Sequence, residues 1–280
     1  MNVWLEAIRV KQWYKNLVIF LPLLFVGKFF NLSLIFLTTV GFFALCLISS
    51  VNYITNDIVD LKKDKENPEK ATRPLASGRI KVHEATAVAI FLLAVAFLIG
   101  AMLSYKFLMM QLALFAVGQV YNLFLRKEEF ADILAIASNF VLRAVAGTFI
   151  VHSDISPWLV LCTFLLSLFL SVSKRHGELV LLRESADVHR PALKFYTKEV
   201  TGALMIVATT TLVMSYSLYS FLSNKNLLFT LPLSLYAVFR YFYLSYSGNE
   251  IARKPENIYK DRKMLISIIL WIMAIFVVLY

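Results

Sequence analysis

The chain alternates long apolar runs with shorter polar ones. Apolar runs lie near residues 14–30, 33–55, 82–103, 107–125, 131–151, 156–173, 200–222, 227–246 and 264–280. Each approaches the roughly 20 residues that a helix needs to cross the hydrocarbon core. The pattern predicts nine transmembrane helices. The connections between them alternate in character. One set is short, as at Asn31-Leu32-Ser33, Ser104-Tyr105-Lys106 and His152 to Ser156, whereas the other is longer and charged. The reading is an all-α polytopic membrane protein, one domain over residues 1–280, with its helices around a central cavity open on the charged side.

Composition agrees with this class: 59% of the 280 residues are hydrophobic and only 16% are charged. Such values lie outside the soluble globular range. The net charge of +10 would suit a nucleic-acid partner, but its placement argues otherwise. Most of the 28 Lys and Arg residues fall at the N-terminus and in the longer connections, while the short ones carry only Lys28, Lys106 and Lys225. By the positive-inside rule the N-terminus and the charged connections are cytoplasmic and the C-terminus is outside, as expected for a multi-pass protein of the inner, cytoplasmic membrane. The charge therefore encodes topology, and no nucleic-acid partner is expected. Arg9, Lys11 and Lys15 precede the first apolar run as in a secretory signal, yet Phe25 to Phe30 offers no small-residue cleavage site, so the run reads as a retained helix. Cys46 and Cys162 sit in apolar runs, and His83, His152, His176 and His189 are isolated. No disulfide or His/Cys metal pattern emerges.

Acidic residues contribute little to topology, which makes one segment conspicuous. Asp57, Asp60 and Asp64 follow one another at spacings of three and four, so a helix puts all three on one face. Ser49, Asn52 and Asn56 extend that face back into the apolar run. Carboxylates of this kind suit Mg²⁺, which is typically held by one or two of them together with substrate phosphates. Downstream, Lys70 and Arg73-Pro74 supply cations for such phosphates, with Arg73 the preferred ligand. A second polar stripe runs from Asp132 through Asn139 to Arg143. An arginine so deep in a span either faces a polar cavity or is tied to a neighbour. Here the two readings are substrate binding and a tie to Asn139 or a tyrosine. A third basic group is Lys174-Arg175, read as part of the connection after the sixth helix.

The run Asn56-Asp57-x-x-Asp60-x-x-x-Asp64, with Pro68, Lys70, Arg73-Pro74 and Gly78, resembles the first signature of the UbiA superfamily of intramembrane prenyltransferases. Arg9 to Asn16, Tyr121 to Asp132, Phe140 to Gly147 and Lys174 to Leu179 resemble the decaprenyl-phosphate phosphoribosyltransferase branch of it. Arg126 stands where that branch suggests a lysine. The resemblance implies transfer of a 5-phosphoribosyl group from 5-phosphoribosyl 1-diphosphate to a polyprenyl phosphate, with Mg²⁺ on Asp57, Asp60 and Asp64 and Asn56 beside them. It further implies substrate contacts at Lys15, Asn52, Lys70, Arg73, Tyr121, Arg126, Asp132, Asn139, Arg143, Lys174 and Arg175.

A different UbiA-type chemistry, transfer of a prenyl group to an aromatic acceptor, generally uses a second aspartate-rich motif after the sixth helix. This chain has Lys174-Arg175-His176-Gly177-Glu178 there, which suits a second phosphate better than a second Mg²⁺. A transporter would carry carboxylates near the membrane midplane, but away from their ends the predicted spans carry only Arg143 and Arg240 as charges.

Overall fold

The computed structural model describes residues 2–68, 70–182 and 195–280. Among them every regular element is helical. The elements in order are α1 (Val3–Ala7), a 3₁₀ segment (Val10–Phe20), α2 (Leu21–Phe25), α3 (Leu32–Val59), α4 (Leu61–Glu66), α5 (Val82–Leu103), α6 (Tyr105–Leu123) and α7 (Ala131–Val151). Then come α8 (Pro157–Leu182), α9 (Lys198–Ser223), a 3₁₀ segment (Lys225–Thr230), α10 (Leu231–Tyr246), α11 (Glu250–Arg253), a 3₁₀ segment (Pro255–Lys260) and α12 (Arg262–Leu279).

Seven helices among the described residues are long and apolar enough to cross a membrane. The two predicted spans that fall short do so for different reasons. The run 14–30 is not one helix: it is the 3₁₀ segment followed by the five-residue α2, with Pro22 in the first turn. There the proline's missing N–H costs nothing. Gly27, with φ +73°, ends the run. The other, α6, is continuous but carries Gln111, Gln119 and Asn122 among its apolar residues.

The chain divides into two compact units. The first comprises residues 1–125 and 139–155, the second residues 126–138 and 156–280. In the first unit α3 packs against α5, α6 and the Val10–Phe20 segment. Its core includes Ile19, Leu45, Ile48, Phe107, Leu114, Ala146 and Ile150, and a neighbouring cluster joins Ala7, Val51, Ile54, Leu75 and Ile80. In the second unit α9 packs along α8, and α10 packs on α12 and α8, around Phe169, Leu212, Tyr241, Leu244 and Met264. Large apolar side chains such as Phe36, Phe91, Met102 and Val277 are exposed. In a membrane they face lipid, while the helices satisfy their own backbone hydrogen bonds.

Helix ends are set by ordinary caps, and one of these carries a pH dependence. The Asp261 carboxylate opens α12 by accepting the Met264 N–H at 2.8 Å and also binds Arg240 Nη2 at 2.7 Å. The Arg240 contact holds the Asp261 carboxyl below the usual carboxylate range. A carboxyl with a depressed folded-state pKa adds stability above its unfolded value of about 3.9 and loses it as pH falls through the folded value. The melting-temperature gap between wild type and Asp261→Ala in detergent should therefore be flat near neutrality and narrow below about pH 4. A gap unchanged down to about pH 3 would remove the pair from the account of stability.

Candidate active site

The aspartate face lies at the end of α3. Asp57 belongs to its last turn, and α3 pauses at Asp60, whose φ of −90° and ψ of 3° separate Val59 from α4. The path stays helical enough for Asp60 N–H to reach the Asn56 carbonyl and Asp64 N–H the Asp60 carbonyl, at 2.9 and 2.8 Å. On such a path residues seven apart differ by only about 20° around the axis. Asp57 and Asp64 thus share a face, and they are 3% and 2% exposed. Arg73 Nη1 donates to both, at 3.2 Å to Asp57 Oδ1 and 2.6 Å to Asp64 Oδ2. Arg9 donates to Asp57, Lys70 Nζ lies 3.8 Å from Asp64, and the Asn56 side chain hydrogen-bonds Asp57. The structure brings together two of the three predicted aspartates, with Asn56, Lys70 and Arg73. Asp60 sits at the joint, half-buried, outside the Arg73 bridge.

One turn earlier on α3 is a second polar group. Tyr53 has the Arg9 guanidinium over its ring at 4.7 Å, Lys15 as a hydrogen-bonding neighbour, and Arg143 within electrostatic reach. Arg143 Nε donates to Asn16 Oδ1 at 2.8 Å and packs over the Phe140 ring. Asn16 is fully buried; it also accepts from Ser49 Oγ at 3.2 Å and donates to Cys46 Sγ at 3.2 Å. The tie predicted for Arg143 exists, but Asn16 makes it and Tyr53 is the neighbouring tyrosine. Gly147, one turn beyond Arg143, allows this contact: a Cβ there would collide with the Ile19 carbonyl.

The remaining predicted contacts are more dispersed. Asn52 points at α6, where its Oδ1 accepts from Gln119 Nε2 at 2.6 Å and its carbonyl accepts from Asn122 Nδ2 at 3.0 Å. Its polarity joins two helices. Tyr121 and Asn139 are half-buried on α6 and α7, and Arg126 is half-buried in the turn between those helices.

In the second unit the sequence reading needs correction. Lys174 and Arg175 are not in a connection, because α8 continues to Leu182. Arg175 is 1% exposed and is bound on two sides, with Nε 2.7 Å from Asp132 Oδ2 and Nη1 3.1 Å from Glu178 Oε2. Asp132, itself 1% exposed, also accepts from the Tyr196 hydroxyl at 2.7 Å. That same hydroxyl accepts the Phe130 N–H at 2.9 Å. Phe130 has φ +56°, a conformation that a bulky residue adopts only when its surroundings hold it. Burial and the adjoining Asp132 carboxylate push the Tyr196 phenol well above its ordinary range, so it remains a donor. Arg175 and Asp132 form a structural lock. Lys174 is half-buried on the same turn.

Among the described residues no three His, Cys, Asp or Glu side chains converge on one point as a ready-made metal cage. The donor set nevertheless fits a hard divalent cation. Oxygens from Asp57 and Asp64 both reach a single cationic nitrogen of Arg73, which shows that one positive centre can be shared between them. Two carboxylates, with the other positions left to water or phosphate, are the usual protein contribution to Mg²⁺.

Apolar membrane-length helices with a paired-aspartate site next to several cations define a membrane protein with a concentrated polar, charged site. The sequence profile of the UbiA prenyltransferase family matches residues 17–269, and the chain belongs to that family. It is similar to the decaprenyl-phosphate phosphoribosyltransferase of Mycolicibacterium smegmatis, with 30% identity across 99% of this chain and 92% of that protein. The protein of the same description from Mycobacterium tuberculosis is 28% identical over 96% of this chain and 92% of its own length. Among solved structures, a UbiA homolog from Archaeoglobus fulgidus bound to DMAPP and Mg²⁺ superimposes with a TM-score of 0.74. That match covers 99% of each chain at 19% identity, a likeness of fold. The resemblance drawn from Asn56 to Gly78 is thereby borne out, and the protein is a membrane enzyme of the prenyltransferase type.

Several participants were not singled out from sequence: Arg9, Asn16, Tyr53, Glu178 and Tyr196. Tyr53 had a usable signal, being one turn from both Ser49 and Asp57 on the polar face of α3. Tyr196 had none, since its partner Asp132 lies 64 residues away.

Proposed function

We propose that the chain is a Mg²⁺-dependent transferase moving a 5-phosphoribosyl group from 5-phosphoribosyl 1-diphosphate to a polyprenyl phosphate of decaprenyl type, with release of diphosphate. The observation that carries this reading is the near-full-length similarity to decaprenyl-phosphate phosphoribosyltransferases. Residues 1–280 act as one domain of nine spans in the inner membrane, with the N-terminus, the charged connections and the aspartate face cytoplasmic, where a soluble phosphosugar has access. The lipid product serves as a precursor for cell-envelope polysaccharide.

In the reaction an oxygen of the lipid phosphate forms a bond to the ribosyl C1. The bond from C1 to the diphosphate oxygen breaks, and its electron pair leaves with diphosphate. Asp57 and Asp64 would hold Mg²⁺, with Asp60 and Asn56 beside them; when bound, the ion neutralises charge on the leaving diphosphate. Arg73 and Lys70, on the same carboxylates, provide further positive charge to the donor's phosphates. The acceptor is a phosphate monoester, largely ionised at pH 7 because its second pKa is about 6. No side chain therefore has to remove a proton, and the rate enhancement comes from positioning and electrostatics.

The direct test supplies membranes containing the protein with radiolabelled 5-phosphoribosyl 1-diphosphate, with and without polyprenyl phosphate. Label should enter the organic extract only when the lipid phosphate is present. A lipid product formed instead from a prenyl diphosphate and an aromatic acid, with no transfer of label, would replace this reading by aromatic prenyl transfer.

A further inference from the structure

Arg73 reaches the aspartates from a stretch that is anchored unevenly. After it, Pro74 and Leu75 are buried, and Leu75 packs with Ala7, Val51, Ile54 and Ile80. Before it, Thr72 is exposed and Lys70 and Ala71 are half-buried. There the backbone turns on itself, with the Ala71 and Arg73 N–H groups donating to the Asn67 and Lys70 carbonyls. A tie from this side to a distant element comes through Arg79. Its guanidinium donates to the Thr72 carbonyl through Nη2 and to Ser77 Oγ at 3.0 Å through Nε. Nη1 and Nη2 also grip Glu6 Oε2 and Oε1, at 3.1 and 3.2 Å. Gly78, with φ +76°, turns the chain just before Arg79, a conformation that glycine adopts without strain.

Glu6 lies on α1, three residues before Arg9. Arg9 in turn donates to Asp57 from a backbone held at φ +51°, which a long side chain adopts only where its surroundings fix it. The contacts therefore close a ring. It runs from Arg79 to Glu6, along α1 to Arg9, across Asp57 to Arg73, and back through the Thr72 carbonyl to Arg79. Arg79 touches neither Asp57 nor Asp64, yet it pins the residue next to the arginine that joins them.

From this ring we infer that Arg79 is a positioning residue for Arg73, itself oriented by Glu6. By fixing the Thr72 carbonyl it sets where the Arg73 guanidinium stands beside the paired aspartates. The inference rests on the proposed function for one point, that Arg73 faces a diphosphate. An ion pair as open to solvent as Arg79 with Glu6 contributes little to stability. Its consequence is geometric, since a misplacement of about 1 Å in a binding group can cost an enzyme about a hundredfold.

The test measures binding to the full chain in nanodiscs, so it needs no turnover. Inorganic diphosphate with Mg²⁺ is titrated by calorimetry, and Mn²⁺ alone is followed by its EPR signal. Arg79→Ala should weaken diphosphate binding about tenfold. Mn²⁺ alone should bind no more weakly, because Arg73 competes with the ion for the same carboxylates. Arg79→Lys should recover only part of the loss, since the charge returns without the guanidinium fork. Glu6→Gln separates positioning from simple charge. Deleting an anion would tighten diphosphate binding if the field alone mattered, whereas a freed Arg79 should loosen it. Both side chains reach solvent, so the variants should melt close to wild type. Unchanged diphosphate binding in Arg79→Ala, or tighter binding in Glu6→Gln, would overturn the role of Arg79. Equal losses for diphosphate and Mn²⁺ would overturn it too, as a general distortion of the site. A wild-type protein that binds no diphosphate would refute the proposed function and this inference with it. Wild-type binding that is indifferent to Arg79 would refute the inference alone.

Discussion

The proposed phosphoribosyl transfer should fall at least about a hundredfold in Asp57→Asn and in Asp64→Asn, the scale on which loss of a single preorganised electrostatic contact slows an enzyme. Both carboxylates lie on one nitrogen of Arg73, so removing either charge halves the set available to a divalent ion. The two substitutions should differ in their structural cost. Asp57 holds Arg9 and Arg73, while Asp64 holds Arg73 and the more distant Lys70. Asp64→Asn is therefore the cleaner probe, with a melting temperature in detergent nearer that of wild type. Asp60→Asn should also be inactive if the ion uses all three aspartates, and only partly impaired if it uses the pair joined by Arg73. The readout is initial rate against Mg²⁺ concentration, with a chelator as control. Full activity of Asp64→Asn, or of wild type in chelator, would rule out the metal assignment.

The second large effect concerns folding. Asp132→Asn should destabilise the protein by about 3–5 kcal/mol, the usual cost of stripping a buried charge of its partner. Arg175 would remain almost wholly inaccessible, next to Glu178 but without the Asp132 carboxylate. The double variant Asp132→Asn with Arg175→Met should lose less than the sum of the single effects, because the arginine is no longer buried without Asp132, although Glu178 loses its Arg175 contact. Tyr196→Phe removes one hydrogen bond from the same group and should cost about 1–2 kcal/mol. Unfolding in mixed micelles is the measurement. A change of less than about 1 kcal/mol for Asp132→Asn would return Asp132 and Arg175 to the list of substrate contacts.

These cases show where the sequence could and could not be read. Spacing alone located the aspartate face, since helical geometry brings residues seven apart into line. It could not anticipate the pause at Asp60, which depends on how the chain turns into α4. The end of α8 lies beyond the point that the charge pattern suggests, for a related reason. Lys174, Arg175 and Glu178 look like a solvent-exposed connection when read as isolated charges. Asp132, 43 residues before Arg175, neutralises the arginine and lets the helix carry it into the interior. The depth of Arg143 signalled a partner, but that partner is Asn16, 127 residues away. The first apolar run has the length and polarity of a span, yet it folds as a 3₁₀ segment and a short helix that Gly27 ends. Hydropathy measures how greasy a stretch is, not whether its backbone stays regular.

Gly147 contributes to this protein through the atoms it lacks. It touches no charge and offers no group to a substrate, yet the Val10–Phe20 backbone occupies the space where its side chain would be. Even a methyl group there would push that backbone away and take Asn16 with it. In a library of all single substitutions, position 147 should therefore rank with the aspartates in intolerance. A search for reactive chemistry would pass over it, because what it supplies is empty volume.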